Sequence, residues 1–166
     1  MESRVTIVQW TEAEPGIRAI REAVFMREQG VPEELEWDGL DPACLHVLAW
    51  NEAGAAVATA RLQPEGKIGR MAVLKEWRGR GLGRAMLRTL LQAAIERGLT
   101  VVELAAQTQA IGFYERAGFR AIGEVFMDAG IPHRKMVLDL RSYRIGETDR
   151  GIRSGSGCGD EPSACG

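Results

Sequence analysis

The sequence predicts a mixed α/β (α+β) fold, with a largely antiparallel central sheet flanked by helices and a βαβ unit near its middle. Three observations predict it. Three short β-rich runs at 45–50, 55–62 and 67–74 follow one another across brief turns, the pattern of an antiparallel meander. A long amphipathic stretch from Leu82 to Arg97 separates the third run from another apolar run at 100–107, which reads as strand, helix, strand. An earlier helical pattern lies between a first strand and the meander.

Each element has its own signal. Val5, Ile7 and Trp10 in RVTIVQW mark a strand. Pro15 suits a helix start. Ile17, Ile20 and Val24 recur at helical spacing, Phe25 widens the stripe, and Gly30 and Pro32 end it. The stretch from Glu33 to Asp41 is acidic and irregular. LHVLAW and AAVATARL are strands joined by a turn ending at Gly54, and Pro64-Glu65-Gly66 leads to KIGRMAVL. In the long helix Arg84, Arg88, Gln92 and Glu96 form a polar row. Leu82, Met86, Leu87, Leu90, Leu91 and Ala94 fill a face broad enough to lie on a sheet, and Gly98 stops it. TVVELAAQ is nearly continuous in apolar residues, as in a strand covered on both faces. A shorter helix over 110–117 stops at Gly118, and FRAIGEVFM and HRKMVLDL are strands around the turn 128–132. From Arg141 apolar content collapses, so 1–140 reads as one domain and 141–166 as a flexible tail.

The formal net charge is −2 and the isoelectric point about 5.8, which argues against a nucleic-acid partner. No apolar run approaches a membrane span, and the N-terminus lacks the apolar core of a signal peptide, so a cytoplasmic protein is expected. Cys44, Cys158 and Cys165 are odd in number and include no CxxC pair. Reduced thiols are expected, with neither a disulfide nor a metal site.

RGRGLG, residues 78–83, sits where the third meander strand turns into the long helix. Ordered glycine costs conformational entropy, so three of them need a reason. A ligand-free tight turn is one reading, but Gly79 alone satisfies it. A nucleotide loop is a second. The Walker pattern is absent, and GxGxxG counted from Gly79 ends on Arg84. A pyrophosphate cradle is the third. Side-chain-free positions at Gly79, Gly81 and Gly83 let backbone N–H groups, that of Leu82 included, point at an anion. The helix adds its positive end, and Arg78, Arg80 and Arg84 add charge. The turn therefore answers a diphosphate.

Arg78-x-x-Gly81-x-Gly83 after RMAV resembles the acetyl-CoA signature of the GNAT N-acetyltransferase superfamily, and FYERAGF at 113–119 resembles that family's second landmark. The order of elements matches over about residues 4–140. The segments 24–41 and 128–133 are similar to the ElaA-like branch. The resemblance implies acetyl-CoA as cosubstrate, no metal, and a small-molecule or peptide amine as acceptor, in a monomer or homodimer. It implies that the strand before the glycine loop is bulged and splayed from the next strand. The pantetheine arm then lies along Met71, Ala72 and Val73, and a backbone donor near Ala72 or Val73 holds the thioester oxygen as charge develops.

The implied reaction is direct attack by an amine, which must first lose a proton, since an alkylammonium has a pKa of about 10.4. Tyr114 matches the family tyrosine that protonates the leaving thiolate. Its other reading is aromatic packing, as for Phe113, but adjacent helical aromatics do not share a face. His133 reads as a base or as a structural hydrogen-bonding residue. Glu103 is a further carboxylate, able to act through a water. Cys44 is discounted as a nucleophile, because direct transfer needs none. Glu33, Glu34, Glu36, Asp38 and Asp41 fall in the region that walls the family's acceptor cleft. Glu36, Trp37 and Asp38 there would favour a cationic amine, unless the run is a solvated acidic loop. Arg27 would instead recognise a substrate carboxylate. A non-catalytic CoA-binding sensor or partner module is the alternative function, and the intact tyrosine argues against it.

Overall fold

The computed structural model describes residues 4–143 and 164–165. β1 (Arg4–Val8) passes directly into α1 (Trp10–Arg21), so Trp10 opens the helix instead of closing the strand. Pro15 lies inside α1 and not at its start. The Gln9 carbonyl accepts from the N–H groups of Glu12 and Ala13 at 3.1 and 2.9 Å, which sets the first turn before the proline is reached. α1 then widens into a π-helical turn, Glu22–Glu28, a geometry that is common at functional sites. The acidic stretch carries a single helical turn, α2 (Glu33–Glu36), and a 3₁₀ turn, Asp41–Ala43.

β2 (Leu45–Trp50), β3 (Ala56–Leu62) and β4 (Ile68–Val73) form the expected meander. α3 (Leu82–Glu96) leads to β5 (Val101–Gln107), and α4 (Ile111–Arg116) to β6 (Arg120–Asp128) and β7 (Ile131–Asp139). One sheet has the order β1-β2-β3-β4-β8, where β8 is Ala164–Cys165, and the other β5-β7-β6. Of the expected tail, 144–163 and 166 lie outside the described residues, including Cys158.

Residues alternate between faces along a strand, and each face of the first sheet has its own helix. Leu48 and Ala72 pack with Ile17, Ile20, Val24 and Phe25 of α1 and its π turn. Val47, Ala49, Ala58, Met71 and Val73 pack with Leu82, Met86, Leu87, Leu90 and Leu91 of α3. β5 departs from its expected burial on both faces. Val102 and Leu104 are buried, whereas Val101 is 48% exposed and Glu103 only half-buried, so one face stays open.

β4 and β5 run parallel but meet at one bridge, Lys67 with Glu103, beside a hydrogen bond from Glu103 N–H to Gly66 C=O at 3.0 Å. Gly66 has φ +108°, and a Cβ there would lie 2.9 Å from the Val101 carbonyl, so only glycine permits the approach. Past that bridge the strands separate into different sheets. β4 is also bulged. Its register with β3 slips between Thr59 and Arg61, and Arg70 takes φ +49°, a left-handed conformation that costs free energy in a non-glycine residue.

Candidate active site

The gap between β4 and β5 is lined by backbone that the register orients. Leu74 N–H donates to Val57 C=O of β3 at 2.9 Å. Successive residues of a strand present their polar groups to opposite edges, so those of Val73 and Met71 face away from β3. Arg78 Nε reaches the Val73 carbonyl at 3.0 Å on that side. Met71, Ala72 and Val73 are fully buried.

The glycine loop follows the end of β4. Gly79 has φ +76° and Gly81 φ +83°, and among the described residues a Cβ on either would meet no atom within 4 Å. Gly81 is the N-cap of α3, and its carbonyl accepts from Ala85 N–H at 3.1 Å. The amides of Leu82, Gly83 and Arg84 therefore precede the first bond of a fifteen-residue helix, at its positive end. Amides at the positive end of a helix are the chemistry that a diphosphate requires. Arg80 stacks on Trp77 at 4.3 Å, and both Arg80 and Arg84 are exposed at the rim. Arg78 departs from the role expected of it. Its guanidinium is held by Glu28 at 2.7 and 2.8 Å, so it clasps the π turn to β4.

Tyr114 is fully buried, and its hydroxyl donates to Met71 Sδ at 3.6 Å, on the β4 side of the gap. Phe113 is buried as well, with its ring edge-on to Tyr114 at 5.0 Å. Adjacency in the helix therefore does not separate their roles, because α4 packs against both β5 and β6. What distinguishes Tyr114 is where its hydroxyl ends.

His133 lies opposite Gln107, the last residue of β5, and is 2% exposed. Its Nδ1 is 2.7 Å from the Ile131 carbonyl, which can only accept, so Nδ1 carries a proton and the tautomer that fits this bond has its lone pair on Nε2. Nε2 is buried and has no hydrogen-bond partner among the described residues. His133 lines a pocket, open to solvent, with Glu36, Arg70, Gln29, Gln107 and Asp128. Gln29 and Gln107 exchange amide hydrogen bonds of 2.9 and 3.3 Å, closing the pocket between the end of the π turn and β5. Arg27, expected to face this cleft, is exposed and outside the lining. Glu103 pairs with Lys135 at 2.9 Å on the open face of β5.

Glu33 and Glu34 of the acidic run are exposed, whereas Glu36 and Asp41 are buried in an ionic wall that Asp38 joins from the surface. Arg21 bonds Glu36 at 2.7 Å and Asp41 at 2.6 Å. Arg61 pairs with Asp38 and, at 3.0 Å, with Asp41. Arg70 lies 3.4 Å from both Glu36 and Asp38. Burial raises the Glu36 pKa, and the charges of Arg21 and Arg70 oppose the shift without cancelling it. Burial also pushes Asp38 and Asp41 upward, but their arginine partners outweigh it and both end below the usual carboxylate range. Trp37 packs against the guanidiniums of Arg18 and Arg21, at 4.4 and 4.5 Å. Trp37 and Asp38 thus hold the wall in place, and only Glu36 of the expected acceptor residues lines the pocket.

Sequence reading missed Arg21, Arg61 and Arg70 as anchors. Two had a signal. Arg21 falls on the apolar stripe of Ile17 and Val24, and Arg61 interrupts an apolar strand, so each pointed to a buried partner. Gln29 and Gln107 had none, being neutral residues 78 positions apart.

Among the described residues no helix is long and apolar enough to cross a membrane. The family described as Acetyltransferase (GNAT) domain matches residues 12–140. The uncharacterized N-acetyltransferase YjcF of Bacillus subtilis is 39% identical over 123 residues, 72% of this chain and 88% of that protein. Protein ElaA of Escherichia coli is 30% identical over 129 residues, 73% of this chain and 84% of ElaA. The ElaA crystal structure superposes with a TM-score of 0.75, covering 83% of this chain and all of that one. An acyl-CoA N-acyltransferase from Pseudomonas aeruginosa, 33% identical, gives 0.74 over 82% of this chain and 99% of that chain.

Proposed function

The chain belongs to the GNAT acetyltransferase family, and from that premise we propose that it is an acetyl-CoA-dependent N-acetyltransferase acting on a primary amine of a small molecule or peptide by direct attack. One observation carries the reading. A glycine-built anion cradle, the Val73 amide and a pocket holding the bare Nε2 of His133 are grouped around the C-terminal ends of β4 and β5.

Acetyl-CoA, when bound, supplies an acyl thioester that the amine attacks, with the CoA thiol leaving. The amides from Gly79 to Arg84 hold the diphosphate, flanked by Arg80 and Arg84. Met71, Ala72 and Val73 line the pantetheine edge, and Val73 N–H is the donor for charge developing on the carbonyl oxygen. His133 Nε2 takes the proton that the amine must lose. The Tyr114 hydroxyl gives a proton to the leaving sulfur. Glu36, partly neutralised by Arg21 and Arg70, receives the cationic end of the acceptor. The chain is read as a cytoplasmic monomer or homodimer.

A panel of amines mixed with acetyl-CoA, followed by free-thiol release and by mass of the product, tests this. Thiol release matched by acetylated amine, strongest for cationic amines, is the expected outcome. Bound acetyl-CoA with no transfer to any amine would leave a binding module and remove the catalytic reading.

A further inference from the structure

β8 lies in the gap between β4 and β5, against both strands. It pairs antiparallel with β4, Cys165 opposite Met71 and Ala164 opposite Ala72. The polar groups of Met71 face away from β3, so Met71 and Cys165 form the hydrogen-bonded pair of this short ladder. Met71 and Ala72 are two of the three residues that the proposed function assigns to the pantetheine arm. The edge of a strand offers one set of amides and carbonyls, and one extended partner uses them at a time.

We propose that β8 and acetyl-CoA compete for this edge of β4, so that a segment of the same chain weakens cofactor binding. The inference rests on the cofactor reading above. It requires a displaceable strand, and a ladder two residues long is one. The attachment is intramolecular, so its effective concentration stays high whatever the protein concentration. A strand docked nine-tenths of the time lowers apparent cofactor affinity about tenfold, since the affinity scales with the competent fraction.

Calorimetric titration with CoA tests this on the full chain, on Cys165→Pro, on Cys165→Ser and on a chain lacking only residues 164–166. Proline removes the N–H that pairs with Met71, whereas serine keeps it and removes only the thiol. Cys165→Pro and the shortened chain should bind CoA at least threefold more tightly than the full chain, with Cys165→Ser unchanged. In the full chain, saturating CoA should speed hydrogen exchange at the Cys165 amide. Equal or weaker binding by the proline and shortened chains, with the full chain binding CoA, overturns the competition and leaves the cofactor site standing. Absence of binding in all four overturns the cofactor reading and this inference with it.

Discussion

Tyr114→Phe separates a chemical role from a packing role by magnitude. The ring is enclosed by edge contacts to Phe113 at 5.0 Å and Phe119 at 5.8 Å, and phenylalanine keeps both. The hydroxyl bonds Met71 Sδ at 3.6 Å, a weak acceptor. Its loss costs about 1 kcal/mol of stability, or roughly 2–4 °C in melting temperature for a chain of this size. Loss of a general acid is another matter, typically about 10²–10⁴-fold in rate, which is roughly 2.7–5.5 kcal/mol of barrier. The assay is pre-steady-state thiol release at saturating amine, beside a thermal melt by circular dichroism and a calorimetric titration of acetyl-CoA. A large fall in the chemical step, with the melt and cofactor affinity nearly unchanged, is expected. A rate within twofold of wild type, with chemistry shown to limit turnover, would refute the acid role.

His133→Gln removes the lone pair at Nε2 and should lower kcat/KM for amines about 10²–10⁴-fold while cofactor affinity holds, as judged by calorimetry. Glu36→Gln should raise KM for cationic amines and leave that for neutral ones in place; an equal change for both would remove Glu36 from acceptor recognition. Asp41 is 3% exposed and serves both Arg21 and Arg61, so Asp41→Ala should destabilise by about 3–5 kcal/mol, roughly 6–20 °C, read by the same melt. Asp38 and Asp41 have lowered pKa values in the folded state, so their stabilisation is present above the unfolded value near 3.9 and is lost as pH falls toward the folded values. Glu36, shifted upward, works in the opposite direction. Melting temperature should therefore drop below about pH 4, and less steeply in Asp38→Asn.

Local patterns carried most of the fold. Short β-rich runs between turns gave β2 and β3, the apolar face from Leu82 to Leu91 gave α3, and the glycines at 79 and 81 marked a turn of positive φ at the start of that helix. Pro15 points to a start for α1 later than the observed one, because the Gln9 carbonyl already accepts the bonds of the first turn and no side-chain pattern marks it. Burial on both faces of β5 was expected from its composition, but only one face is covered. The wall around the pocket was legible in its acidic half. The arginines that fold it inward come from 15 to 34 positions away along the chain, a separation that no periodicity encodes. The same limit hid the Gln29–Gln107 clasp, the diversion of Arg78 to Glu28 fifty residues earlier, and the return of Ala164 and Cys165 to β4.

The glycine cradle at the start of α3 is the part of the account on which every chemical step depends. Calorimetric titration of acetyl-CoA into the wild-type chain and into Gly81→Val addresses it most directly. A Cβ at Gly81 meets no atom of the described residues within 4 Å, although its φ of +83° makes the substitution locally strained. A circular-dichroism melt therefore accompanies the titration. The account predicts one acetyl-CoA per wild-type chain, and an affinity at least tenfold lower in Gly81→Val with the melt of the body preserved. Equal affinity in the two chains, or no binding by the wild type, would contradict it.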